Sequence, residues 1–172
     1  HTHMSLMLVA PGTGLGGGIV LGGRLFRGAF GAAAELGHTR MVPGGLLCGC
    51  GNHGCWEQYS SGRALVREAR ALARTDPGAA ARLLELAHGD AEAIGGRMVT
   101  RAAAEGDPAA QGLLAVLGRW LGEGIADLAS VLDPEVVVIG GGVSEAGDLL
   151  LGPAREAYEA TLSAAAYRPH LA

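Results

Sequence analysis

Three cysteines, Cys48, Cys50 and Cys55, lie within eight positions of one stretch, Cys-Gly-Cys-Gly-Asn-His-Gly-Cys-Trp-Glu, running from Cys48 to Glu57. They are the only cysteines in the chain of 172 residues. Three thiolates and an imidazole form a Cys₃His set, which suits a closed tetrahedral zinc site. Glycines at 49, 51 and 54 tolerate positive φ and allow so short a loop to fold its sulfurs inward. Each sulfur must be a thiolate to bind, so a metal would order the loop while releasing protons. Two histidines could be the fourth ligand. His53 is so near Cys55 that joint coordination would strain the turn, which favours His38. The competing readings are three reduced cysteines beside surface histidines, and a disulfide. The spacing is not the common Cys-x₂-Cys pair, and an odd number of cysteines speaks against the disulfide.

Carboxylates accompany the cluster. Glu35 precedes His38 by three residues, and Glu57 follows Cys55-Trp56 directly. Paired carboxylates beside an imidazole suit vicinal hydroxyls, as in a sugar, because each oxygen accepts from an OH. The plainer alternative for Glu57 is a favourable charge in the first turn of a helix.

Two glycine runs flank the cysteine loop. Gly12-Thr13-Gly14-Leu15-Gly16-Gly17-Gly18 offers amides that an anion can approach closely, and the Thr13 hydroxyl adds a donor. Gly140-Gly141-Gly142 lies between a buried-type strand and a helix start, a place that favours phosphate or ribose. Tight hairpin chemistry would also explain either run alone. A dinucleotide fingerprint fits poorly, because the first run leads into a hairpin rather than a helix, and no Walker lysine follows.

Periodicity supplies the elements that must hold these groups. Ser5–Ala10 reads as a strand, followed by the glycine turn and a hairpin of Ile19–Leu21 and Arg24–Phe26. Glu35–Val42 reads as a further strand carrying Glu35 and His38. From Trp56 the period becomes helical: Ala64, Leu65, Ala69, Leu72 and Ala73 predict a helix up to Thr75-Asp76-Pro77. Gly78–Ala87 and Asp90–Ala104 read as further helices, the second weakened by Gly95-Gly96. Asp107 as N-cap and Pro108 at N1 open the strongest helix, which runs to Leu132 before Pro134. Val136–Ile139 reads as a buried strand, and Ser144 as the cap of a helix to about Ala165. His88, His170, Arg67-Glu68 and Arg70 read as solvated surface.

Composition bounds the rest. The length fits one domain, 49% of residues are apolar, and only 4% are aromatic, so the core must be mainly Leu, Val and Ala. A net charge of −4 without a basic block leaves no electrostatic footprint for nucleic acid. No apolar run is long enough for a membrane span and no signal peptide is visible, so a cytoplasmic protein is expected. Residues 1–4, His-Thr-His-Met, read as an appended leader.

Glu35-Leu36-Gly37-His38 followed by the Cys48–Glu57 stretch closely resembles the signature of ROK-family sugar kinases (repressors, open reading frames and kinases). Gly12–Gly18 resembles that family's second phosphate motif, and Val137-Val138-Ile139-Gly140-Gly141-Gly142-Val143-Ser144 its adenosine motif. The resemblance runs from about Leu8 to Arg168 and is nearest to bacterial ATP-dependent glucokinases. It implies an α/β fold: an actin-like (ribonuclease H-like) lobe with a mixed sheet, flanking helices and a zinc loop. It further implies structural zinc on His38, Cys48, Cys50 and Cys55. Sugar hydroxyls would meet Glu35, His38 and Glu57, and Mg-ATP would meet Gly12, Thr13, Gly14, Gly140, Gly141 and Gly142. His38 would then serve zinc with one ring nitrogen and the sugar with the other.

The departures from the family pattern carry equal weight. The family's opening Asp-x-Gly-Gly-Thr loop and its catalytic Asp in an Asn-Asp pair do not occur here, and Pro11 stands where an aliphatic residue is usual. Residues 5–172 are therefore expected to be the large carboxyl-terminal lobe without its amino-terminal partner. That lobe carries sugar, zinc and nucleotide contacts but no catalytic base. The expected activity is phosphorylation of glucose, or a related hexose, at the 6-hydroxyl, weak or absent in this chain alone. The alternative is the sugar-sensing lobe of a ROK transcriptional regulator. Family members often pair through this lobe, so a homodimer is expected.

Overall fold

The computed structural model describes residues 4–167. The expectations on His170, the Arg168-Pro169-His170 end and most of the leader lie outside the described residues. A four-stranded mixed sheet has the order β3-β2-β1-β4. β1 (Ser5–Pro11) pairs antiparallel with β2 (Leu15–Leu21) and parallel with β4 (Val136–Ile139), while β3 (Arg24–Leu25) closes a short hairpin on β2. β1 alternates as a strand with one covered face should: Met7, Val9 and Pro11 are buried, and the residues between them only partly so. The Glu135 carboxylate accepts from the Met4 and Ser5 amides at 2.7 and 3.3 Å, clamping the start of β1 to that of β4.

The described residues form five α-helices: α1 (Gly62–Thr75), α2 (Ala81–Leu86), α3 (Gly96–Ala104), α4 (Pro108–Leu132) and α5 (Asp148–Thr161). α4 is the spine. Leu114, Leu117, Leu121 and Ile125 bury one of its faces at helical spacing. Asp107 caps it as expected, its Oδ1 accepting from Ala110 N at 2.8 Å, with Pro108 in the first turn. Asp107→Ala should cost about 1 kcal/mol, read as a lower urea midpoint with unchanged slope. α5 packs on α4 at backbone distance, and a side chain at Gly122 would strike the Ala154 carbonyl. α2 is tied to α3 by Arg82, paired with Glu85 and Glu105. Arg82 first and Arg101 second hold the Glu105 carboxyl down at about 2. No helix among the described residues is long and apolar enough to cross a membrane.

Several boundaries differ from expectation. Glu35–Val42 is not a strand. Leu36–His38 forms one 3₁₀ turn, and the Met41 and Val42 amides donate to the Gly54 carbonyl at 2.9 and 3.1 Å rather than to a neighbouring strand. β2 begins at Leu15, so Gly16–Gly18 are strand rather than turn. The expected Asp90–Ala104 helix splits into a 3₁₀ turn at Ala91–Ala93 and α3, with Gly95 as the N-cap. The helix expected from Ser144 starts at Asp148 and ends at Thr161. Ser144 instead lies within a 3₁₀ turn, where its hydroxyl donates to the Gly141 carbonyl at 2.6 Å.

Candidate functional site

The Cys48–Glu57 loop is held at both ends before any metal is considered. Upstream, Leu36 is buried and Gly37 lies so close to the Leu15 carbonyl that a side chain there would collide. Downstream, Trp56 is fully buried and its Nε1–H donates to the Trp120 carbonyl of α4 at 2.8 Å. Between these anchors Gly54 takes φ +79 beneath the Val42 carbonyl, a position where a Cβ would clash.

The fold brings His38 and the three cysteines together, with all four ligand atoms within 4.8 Å of one another. Cys50 Sγ lies 3.6 Å from Cys55 Sγ, and His38 Nδ1 lies 3.6 Å from Cys48 Sγ. A tetrahedral zinc with bonds of about 2.3 Å to sulfur and 2.0–2.1 Å to nitrogen requires edges of roughly 3.5–3.8 Å. The donor set therefore fits zinc in chemistry, and these two separations match the edges of its tetrahedron, within a cluster bounded at 4.8 Å. His53 is exposed, pairs across the loop with Leu47, and is not among the clustered ligands. Without a cation the cluster favours protons unevenly. Burial first, then the crowding of Cys50 and Cys48, pushes the Cys55 thiol up to about 12. The Asn52 amide brings exposed Cys50 down to about 7. A bound divalent cation reverses that penalty by stabilising every thiolate.

Glu57 joins this loop to the first glycine turn. Its Oε2 accepts from Leu15 N at 3.1 Å and presses against Gly14, where a Cβ would collide with it; Oε1 lies 3.9 Å from Cys48 Sγ. Glu57 also sits in the first turn of the 3₁₀ helix Trp56–Gln58, so the electrostatic alternative and the contact coexist. Glu35 is exposed and occupies the N-cap position of the 3₁₀ turn that carries His38, without a side-chain capping bond.

The two glycine turns, far apart in sequence, meet at the end of the β1–β4 pair. Gly141, at φ +79, packs where a Cβ would lie 2.6 Å from the Pro11 carbonyl oxygen. The Gly12 carbonyl accepts from Gly62 N at 2.7 Å and the Thr13 carbonyl from Arg63 N at 3.3 Å, docking the turn on the start of α1. A cleft of about 920 Å³ opens there, bounded by Gly12 and Thr13, by α1 and the start of α3, and by Gly142 to Glu145. Five arginines line it: Arg63, Arg67, Arg70 and Arg74 from α1, and Arg97 from α3. Arg67 and Arg70 are thus not plain solvated surface. Arg67 donates to the Gln58 carbonyl at 2.7 Å and Arg70 to the Ile94 carbonyl at 3.0 Å. The spacing of 63, 67, 70 and 74 already marks one helix face, but only the fold shows that this face borders a cleft.

A mixed sheet with helices about it carries two glycine turns at one cleft and a Cys₃His loop beside them, and the chain belongs to the ROK family, whose sequence profile matches residues 1–172. It is 51% identical over 167 residues to the glucokinase of Streptomyces coelicolor, covering 97% of this chain and 53% of that protein. A ROK family glucokinase from Streptomyces griseus, crystallised with glucose and AMPPNP, superimposes with a TM-score of 0.92 at 50% identity. That match covers 99% of this chain and 55% of the other. The xylose repressor of Caldicellulosiruptor bescii is 36% identical over 151 residues, 88% of this chain and 37% of the repressor. The fold is the actin-like ATPase fold of these relatives. The chain spans about half the length of the glucokinases it matches.

Proposed function

We propose that residues 5–172 are the large lobe of an ATP-dependent glucokinase and supply its sugar, zinc and nucleotide contacts. Glu35, His38 and Glu57 accept from or donate to glucose hydroxyls. Gly12, Thr13 and Gly14 hold the phosphates of Mg-ATP, and Gly140, Gly141 and Gly142 border its nucleoside. Zinc on His38, Cys48, Cys50 and Cys55 holds the loop in shape and takes no part in phosphoryl transfer. With Nδ1 turned to Cys48, His38 keeps Nε2 on the far side of its ring for a hydroxyl.

One observation carries this reading: the hydrogen bond from Leu15 N to Glu57 Oε2. It sets the carboxylate of the Cys₃His loop against the phosphate turn. A sugar held at Glu57 therefore lies beside the end of a nucleotide held at Thr13. In-line transfer needs that juxtaposition of acceptor hydroxyl and γ-phosphate. In this reading the residues here bind and orient the sugar and the donor, and none of them serves as the base for the 6-hydroxyl proton. The working enzyme is a cytoplasmic kinase that pairs as a dimer through this lobe and binds neither nucleic acid nor membrane.

Calorimetry with glucose and with Mg-ATP, alongside a coupled phosphorylation assay, tests the proposal on this chain. Binding of both ligands without turnover is expected. Turnover at kinase-like rates of roughly 1–100 per second would overturn the absence of a base. Binding of sugar without nucleotide would favour a second reading, a sugar-sensing regulator lobe, which the likeness to a xylose repressor supports.

A further inference from the structure

The nucleotide-sized cleft is far more positive than the chain around it. Five of the thirteen basic residues line it against two carboxylates, Glu92 and Glu145, although the whole chain carries a net charge of −4. The pairing of these arginines sorts them into two groups. Arg67 is held by Glu68 at 2.9 Å and by the Gln58 carbonyl; Arg70 is held by the Ile94 carbonyl and, at 3.6 Å, by Glu92; Arg74 pairs with the same Glu92. These three brace α1 against the segments on either side of it. Arg63 and Arg97 differ, since neither guanidinium has a hydrogen bond or ion pair among the described residues, and both are exposed into the cleft.

Their placement is also electrostatically unfavourable. Arg63 is the second residue of α1 and Arg97 the second of α3, and neither helix has an acidic residue in its first turn. Cations at that end oppose the helix dipole and the unsatisfied amides. Two such cations facing one cleft gain only if an anion enters it. Arg63 follows directly from the residue whose amide bonds Gly12, and its own amide bonds Thr13, so its side chain leaves the backbone beside the phosphate turn.

We propose that Arg63 and Arg97 are the donor-binding charges of this cleft, contacting the phosphate chain of a nucleoside polyphosphate from the starts of α1 and α3. The proposal rests on the nucleotide reading above and adds to it the residues that select a charged donor. Glycine amides alone position phosphate, while guanidiniums add charge and forked hydrogen bonding.

The test compares Arg63→Ala, Arg97→Ala and, as a control, Arg24→Ala, an exposed arginine outside the cleft, by titrating each with ATP, inorganic triphosphate and adenosine at two salt concentrations. The variants at 63 and 97 remove exposed, unpaired side chains, so folding should persist; circular dichroism checks it. The variants at 63 and 97 should each weaken ATP and triphosphate by roughly tenfold or more and flatten the salt dependence, with adenosine affinity and the Arg24→Ala variant near wild type. ATP affinity unchanged within twofold in both variants, while the parent chain binds ATP, overturns this proposal alone. An equal loss of ATP and adenosine also overturns it, because the side chains would then be stacking on the base. A parent chain that binds no nucleotide removes the reading beneath it as well.

Discussion

On the proposed zinc site, treatment with a chelator, or changing Cys55 to serine, is expected to weaken glucose binding by more than about tenfold while leaving the helical framework folded. The two halves of that result have separate causes. The framework is anchored without the cluster: Trp56 is buried against α4 and bonded to Trp120, and Leu36 is buried near the sheet. Between those anchors the loop relies on a few backbone bonds, such as Gly54 N to Leu46 O and Cys48 N to Asn52 O, each 2.8 Å. Such bonds contribute about 1 kcal/mol each, net of water. That is too little to fix His38 and Glu57 to the few tenths of an ångström that hydroxyl recognition demands. Cys55 is the most demanding ligand, fully buried and reluctant to ionise unless a cation is present. Its replacement should drop zinc from one per chain and raise the glucose dissociation constant by more than about tenfold, with far-UV circular dichroism nearly unchanged. A chelated chain that binds glucose as before would show that the loop holds its shape through backbone bonds alone.

Much of this scaffold is legible in the sequence, and the illegible parts share one physical cause. α4 could be read from its cap, its first-turn proline and its leucine spacing, because those signals are local and the helix obeys them. β1 and β4 follow from apolar runs between turn residues. The segment around Glu35–Val42 looks like a strand because its residue types suit one. Its conformation is instead dictated from outside, by the Leu15 carbonyl over Gly37 and the Gly54 carbonyl that takes two of its amides. Gly16–Gly18 reads as a turn on composition, yet it is strand because it pairs antiparallel with Leu8–Ala10 of β1, and Gly17 must be glycine there because Leu36 and the Ala34 carbonyl leave no room for a side chain. The Cys₃His residues, with His38 preferred to His53, are legible as a set, whereas the 3₁₀ turn that carries His38 to the cysteines is not announced by the sequence. Arg67 and Arg70 read from sequence as solvated surface, because their place on a cleft depends on α3 and the glycine turns meeting α1, which no local pattern encodes.

The second large effect should arise at the contact between Glu57 and the phosphate turn, where a substitution on either side ought to reach both ligands. Glu57→Ala removes the acceptor for Leu15 N and the carboxylate offered to sugar. Hydrogen bonds to a charged group are worth about 1.5–3 kcal/mol each, so glucose affinity should fall by roughly a hundredfold. Glu57→Gln keeps a carbonyl oxygen for Leu15 N at the same reach and loses only the charge, so a smaller loss of about tenfold is expected, with the turn undisturbed. Gly14→Ala approaches from the other side. Its new Cβ would meet Glu57 Oε2 within van der Waals distance, and the carboxylate or the turn must move. Nucleotide affinity separates these cases: it should drop in Gly14→Ala and Glu57→Ala, and hold in Glu57→Gln. Because the coupling between two sites is reciprocal, saturating glucose should tighten nucleotide binding in the parent chain and in Glu57→Gln but not in Glu57→Ala. Equal nucleotide affinity across all three variants, with and without glucose, would mean that the contact is incidental and that the loop and the turn act as independent sites.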